Sequence, residues 1–426
     1  MNILIITYYW PPAGGPGVQR VLKFAKYLPE FGCRPVVLTV VNGEYPATDE
    51  SLMNEVPSSL SVYTTPSLEP FALYRNLTSK KSDAIPTFVL TESANQSLFQ
   101  KVATFLRANI FIPDARIGWT PFAVRQGGKI IRDEKIDVIF STGPPMSTHL
   151  IGRRLAKKMH IPWVADFRDP WTDVFYYHSL KRTKCALALD KSLERSVLKN
   201  AHAVISVSPS IIHLFRAKAE NSYHVIANGF DEHEFESVQP LPVDDKIHII
   251  HAGHLAGNQN PVALWNALKN IVQKNPDFGQ RLQVDFYGSV HSEVANSIQE
   301  FGLEHFTVWH GYKSHQHVIA AYKSAHALFF VVPQCDTSKG ILTSKLFDYL
   351  GANRPIVGIG ATDGDAAAIL RKTGAGIMFD YDETQALTKH LEHIFYDRKR
   401  QHKIQTEKYT RRALTARLAD IVKELV

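Results

Sequence analysis

Residues 8–20 read YYWPPAGGPGVQR and follow the apolar run Ile3–Leu4–Ile5–Ile6 almost at once. A chain that leaves a strand through prolines and glycines and then enters a helix is one βα unit of a parallel sheet. Val18, Val21, Leu22, Ala25 and Leu28 share one helical face, so a helix is expected from near Gly17 to about Pro29. The glycine spacing from Gly15 is G-x-G-x-x-R, with Arg20 where a dinucleotide fingerprint has its last glycine. The acidic residue expected about twenty positions on is replaced by an apolar strand, which argues against NAD. Arg20 falls in the first helical turn, where a cation opposes the helix dipole and is tolerated if an anion lies before the free N–H groups. A strand-to-helix turn with a solvated arginine accounts for the stretch equally well by itself.

Working outward, apolar β-branched runs recur with helical patterns between them. NILIIT, RPVVLTV, IDVIFST, PWVAD and AVISVS form one series; KIHIIHA, LQVDFY, HFTVWH, ALFFVV, RPIVGIG and AGIMFD form a second. Two doubly wound α/β domains are implied. The polar, proline-containing stretch 236–245 reads as their linker, giving domains over 1–238 and 243–400. Residues 401–426 read as a basic amphipathic helix with Leu414, Leu418, Ile421, Val422 and Leu425 on one stripe, able to pack on either domain. Residues 66–118 break the alternation, and a helix over 97–110 is expected to carry Phe99, Val102, Phe105 and Leu106 at helical spacing beside Lys101 and Arg107. It suits packing on the first sheet and, as a second reading, contact with a membrane or a lipid-bearing substrate.

A length of 426 residues suits two cores, and 45% hydrophobic with 21% charged residues is the balance of a compact globular chain. Cys33, Cys185 and Cys335 are odd in number and far apart, so neither a disulfide framework nor a metal cluster is expected, and a reducing cytoplasm fits. The first apolar run has no basic segment before it and only a strand's length, unlike a signal peptide. No run of 18 apolar residues is present. The net charge of +7 favours anionic partners, whether nucleotides, anionic lipid surfaces or nucleic acid.

Two further constellations carry chemistry. WVADFRDPW, residues 163–171, ends a strand with Asp166, Arg168 and Asp169 close together, where open α/β sheets bind ligands; a salt-bridged turn is the alternative. TSKLFDYLGANRPIVGIG, residues 343–360, reads as cap, helix, turn and strand, with Thr343 or Ser344 capping and Lys345 in the first turn. Lys345 again sets a cation at a positive helix end, so a bound anion is favoured over an i,i+3 pair with Asp348. His248 and His251 alternate across a strand and do not converge on a metal. No G-x-S-x-G elbow and no P-loop occur.

With these pieces placed, the chain resembles the retaining nucleotide-sugar glycosyltransferases of family 4. The resemblance runs through the glycine loop (Gly14, Gly15, Gly17), PWVADFRDPW, AHAVISVSPS, VIANGFDEHEF, HAGHLAGNQNP, DFYGS, WHGY and SKLFDYLGANRPIVG, in that order. It implies a GT-B fold, two Rossmann-like domains facing a central cleft, with the first on the acceptor side and the second binding the nucleotide sugar. It implies catalytic roles for Asp166, Arg168 and Lys345. Donor contacts fall to Gly15, Gly17, Arg20, His254, Ser289, Tyr312, Thr343, Ser344 and Asp348, with Asp348 on the ribose and Lys345 by the diphosphate. The Arg and Lys usual after the first strand of the second domain are replaced near His254 and Gln259, and the earlier Glu of the Glu-x7-Glu pair by Gly340.

Expected, then, is an enzyme that uses a nucleoside-diphosphate sugar with retention. No metal or cofactor is expected. The acceptor would be a glycan or lipid-linked saccharide of cell-surface polysaccharide biosynthesis, met in the cytoplasm or at the inner membrane face. A nucleotide-sugar 2-epimerase of the same architecture, or a non-catalytic binding protein for sugar nucleotides or nucleic acid, are the alternatives. Nucleic acid is disfavoured because the basic residues are spread along the chain.

Overall fold

A computed structural model describes residues 1–68, 105–174, 177, 181–242, 244–396 and 404–426. The chain divides into two compact units, Met1–Ala227 with Arg411–Val426, and Asn228–Thr410. In the first unit seven strands, β1 (Asn2–Ile6), β2 (Arg34–Val40), β3 (Ser61–Thr65), β4 (Val138–Gly143), β5 (Trp163–Phe167), β6 (Ala203–Ser206) and β7 (Tyr223–Val225), lie in the order β3-β2-β1-β4-β5-β6-β7. All pairings are parallel. Alternation along β1 explains the burial on both faces: Leu4 and Ile6 enter one core with Leu38, Trp163 and Phe167, while Ile3 and Ile5 enter the other with Val21, Leu22 and Phe140.

The second unit repeats the plan with β8 (Ile247–Ala252), β9 (Leu282–Tyr287), β10 (Thr307–Gly311), β11 (Ala327–Val331), β12 (Ile356–Ile359) and β13 (Gly376–Phe379), ordered β10-β9-β8-β11-β12-β13 and all parallel. One face buries Ile249, Val284, Phe286, Phe329 and Trp265. The strand order reverses between β1 and β4 and again between β8 and β11. Outside the carboxyl ends of such strand pairs a sheet of this kind leaves a crevice for ligands.

The division between units falls before the polar stretch 236–245, because Phe230 and Phe235 pack against Gly351 and bind their segment to the second unit. The last helix, Arg411–Lys423, joins the first unit. It buries Leu414, Leu418, Ile421 and Val422 with Val18, Val21 and Leu22 of the helix Pro16–Tyr27. Of the helix expected over 97–110, residues 105–110 are described and helical, and the remainder lies outside the described residues. No helix among the described residues is long and apolar enough to cross a membrane.

Candidate functional site

In the first unit the glycine loop reaches its helix through Gly15, whose φ of 99° suits a residue without a Cβ. Pro16 opens the helix, and neither a capping side chain nor an acidic residue occupies its first turn. Gly17 is required by contact: a Cβ there would lie 1.9 Å from Arg168 Nη1. Arg168 reaches this place because Nε donates to the Gly143 carbonyl at 3.1 Å and Nη2 to the Pro144 carbonyl. Gly15, Gly17 and Arg168 therefore converge on one helix N-terminus, a region of positive potential.

Arg20 and Asp166 lie elsewhere than expected. Arg20 is 0% exposed and pairs in bidentate fashion with Asp166, itself 0% exposed, at 3.1 and 2.7 Å. Arg20 Nη1 donates to the Ala227 carbonyl at 2.8 Å, and Thr142 Oγ1 donates to Asp166 at 2.8 Å. Every nitrogen of the guanidinium and both carboxylate oxygens are committed. The pair holds β5 to the first helix, so Arg20 is corrected from a donor contact, and Asp166 from a catalytic group, to buried structural partners. Two charges removed from water must find each other, and here they do so across the strand ends.

The same end of the sheet carries residues that the sequence reading did not single out. Asp114 accepts from Ser147 N and Oγ, each at 2.9 Å, so it caps the helix Ser147–Met159 from a distant loop. Burial pushes its carboxyl up. Arg116 pairs with Glu44 at 2.9 Å and lies 5.0 Å from the Tyr8 ring. His149, fully buried, has Nδ1 2.9 Å from Ser141 Oγ and no partner on Nε2; burial pushes its pKa down to about 3, so the ring is neutral. None of these belongs to a motif with a spacing rule, because their partners come from different loops.

In the second unit β8 ends in Gly253, φ 94°, against Gly288, φ 113°, where a Cβ would come within 2.7 Å of the Gly253 carbonyl. Lys345 folds over this turn. Its Nζ donates to the His254 carbonyl at 2.8 Å, and its Cε would clash with any Cβ on Gly253. Burial lowers its pKa to about 8, and no carboxylate pairs with it among the described residues. Lys345 thus turns toward the β8 end and away from a pair with Asp348.

Thr343 precedes the helix Ser344–Ala352 without capping it, leaving its Oγ1 buried and unpartnered. His254 Nδ1 lies 2.8 Å from Ser289 Oγ, which ties the β8 and β9 loops together. Lys345, His254, Ser289, Thr343 and Ser344 are therefore gathered at the strand-order reversal, with Asp348 one turn into the helix. Tyr312, 91% exposed, stands on the loop after β10. Gln259 is drawn into the scaffold: its side chain accepts from Ala256 N and donates to the Val331 carbonyl. Beneath the turn His251 donates Nδ1–H to the Phe329 carbonyl at 3.1 Å.

Two parallel sheets of this order, each with one reversal of strand order, place the chain in the GT-B class of two-domain α/β proteins. Residues 81–234 match the model of the family described as Glycosyltransferase Family 4, and the resemblance read from the sequence is thereby borne out. The match is confined to that segment, whereas the likeness in fold extends through the whole length of the chain. It is similar to trehalose-6-phosphate synthase OtsA (TM-score 0.63, 9% identity, 100% of each chain covered). It is also similar to HepE of Anabaena, solved in complex with UDP (TM-score 0.58, 14% identity, 100% of this chain and 97% of that one). A putative UDP-N-acetylglucosamine 2-epimerase from Listeria monocytogenes shares the fold (TM-score 0.56, 10% identity, 99% and 96% covered). No curated protein matches the sequence significantly.

Proposed function

We propose that this glycosyltransferase moves a sugar from a nucleoside-diphosphate sugar to a hydroxyl of a glycan or lipid-linked acceptor, with retention and without a metal, in cell-surface polysaccharide biosynthesis. The observation that carries the reading is the Lys345 ammonium, half-buried at an uncapped helix start with a backbone carbonyl as its partner. A cation desolvated in this way is completed by an anion, and a diphosphate supplies one.

When the bond from the anomeric carbon to the phosphate oxygen breaks, its electron pair passes to the nucleoside diphosphate. Lys345 and the N–H groups of Ser344 and Lys345 stabilise that charge without reorganising. The acceptor hydroxyl oxygen forms the new bond on the same face, and its proton passes to the departing phosphate. Asp348 would hold the ribose hydroxyls.

Incubation of the protein with UDP-, GDP- and dTDP-sugars in chelator, following release of the nucleoside diphosphate, tests this. Acceptor-dependent release in chelator supports it; release that needs a divalent ion counts against it. The fold shared with a putative 2-epimerase favours one second reading. Epimerisation of the donor sugar without any acceptor would establish that reading instead.

A further inference from the structure

Between Asp166 and Thr172 nearly every side chain is fixed. Asp166 is locked to Arg20 and Thr142, and Phe167 lies in the core. Arg168 is tied by side chain and backbone to Gly143. Trp171 Nε1 donates to buried Asp190 at 2.9 Å, and Thr172 Oγ1 to buried Glu194 at 2.6 Å. Asp190 also accepts from Tyr177 and Arg182, and Glu194 from Lys218. The backbone closes on itself through Trp171 N to the Asp169 carbonyl at 2.9 Å and Asp173 N to the Pro170 carbonyl at 2.6 Å.

Asp169 is the exception in this loop. Its carboxylate is half-buried and makes no hydrogen bond or ion pair among the described residues, while its neighbours on both sides are anchored to different elements. Burial pushes its carboxyl up, against the Arg168 charge that holds it down. A desolvated carboxylate without a donor is costly, and a rigid loop built around one is the arrangement of a side chain held ready for a ligand. It stands beyond the carboxyl end of β5, beside the Arg168 and Gly17 group.

We propose that Asp169 is the acceptor-binding carboxylate of the first unit, accepting hydrogen bonds from hydroxyls of a saccharide. This rests on the transferase reading above. Asp166, three residues earlier, is not available for such a contact, because both of its oxygens are occupied. Asp169 orients the acceptor; the transferred proton still leaves with the phosphate.

The test follows nucleoside-diphosphate release by the full chain from UDP-, GDP- and dTDP-sugars, with octyl β-glucoside, octyl β-galactoside and octyl N-acetyl-β-glucosaminide as acceptors. In Asp169→Asn the KM for the glycoside should rise roughly ten- to hundredfold, the scale of one charged hydrogen bond. The KM for the donor should stay within about twofold, and Asp169→Glu should recover part of the loss. An unchanged glycoside KM overturns the proposal and leaves the transferase reading intact. Equal changes in both KM values with a lowered melting temperature make Asp169 a structural residue and overturn it too. Release that no glycoside stimulates overturns the saccharide assignment, and no release by the wild type from any donor sinks the transferase reading with it.

Discussion

The Lys345 ammonium is held at a cost until an anion joins it, and that cost makes its chemistry measurable. Lys345→Ala should weaken nucleoside-diphosphate binding by about 1.5–3 kcal/mol, since a charge-assisted hydrogen bond is lost. Calorimetric titration reads this directly, and unchanged affinity would remove Lys345 from the donor site. The pH dependence has a definite sign. With a pKa near 8, Lys345 loses its proton as pH rises through 8, so diphosphate affinity should fall between about pH 7 and 9. Lys345→Arg should flatten that fall, because arginine stays charged. At the same scale, Arg20→Ala leaves Asp166 buried with Thr142 as its remaining donor, and should cost about 3–5 kcal/mol of stability by denaturant titration. Full stability in that variant would show that the pair is dispensable.

Among the elements, the helix Arg411–Lys423 tests how far the chain end belongs to the first unit. Leu418 is buried among Val18, Val21 and Leu22, so Leu418→Ala should cost about 2–5 kcal/mol through lost burial and the cavity left. A cost of a few tenths would mean that the helix docks loosely. In the second sheet, His248 Nδ1 lies 2.7 Å from Asp285, with its Nε2 3.0 Å from Asp244, and Asp285 also binds His310 at 2.7 Å. The hydrogen bond to Asp285 raises the His248 pKa above 6.5. A raised pKa stabilises the protonated, folded form. That stability is fully present below 6.5 and is lost as pH rises through the folded value. Melting temperatures across pH 6 to 8 should therefore fall in the wild type and vary less in His248→Gln; parallel curves would refute the assignment.

For the whole molecule, the net charge of +7 and the exposed Phe105, Leu106 and Ile110 beside Arg107 suit an anionic membrane surface. The chain should float with anionic vesicles at low salt and be released as salt screens the attraction. Replacing Phe105, Leu106 and Ile110 by serine should weaken flotation; no association at low salt would make a soluble acceptor the better reading.

The order of strands and helices was legible because burial on both faces of a parallel sheet writes continuous apolar runs such as Ile3–Ile6 and Ala327–Val331 into the chain, and glycines mark the tight turns. The place of Lys345 was legible for a local reason too, as a cation in the first turn of the helix Ser344–Ala352. The role of Arg20 was not. Its position in a first turn is equally compatible with an anion in front or a carboxylate beneath, and the carboxylate that claims it stands 146 residues away. The freedom of Asp169 was equally hidden, because Asp166, Arg168 and Asp169 look alike in sequence until Arg20, Gly143 and Pro144 have taken their partners. Local periodicity is a property of neighbouring residues, so the sequence alone determined the elements and their class. Which charges neutralise one another and which stay open to a ligand depends on contacts between distant strands, and only the tertiary structure decided that.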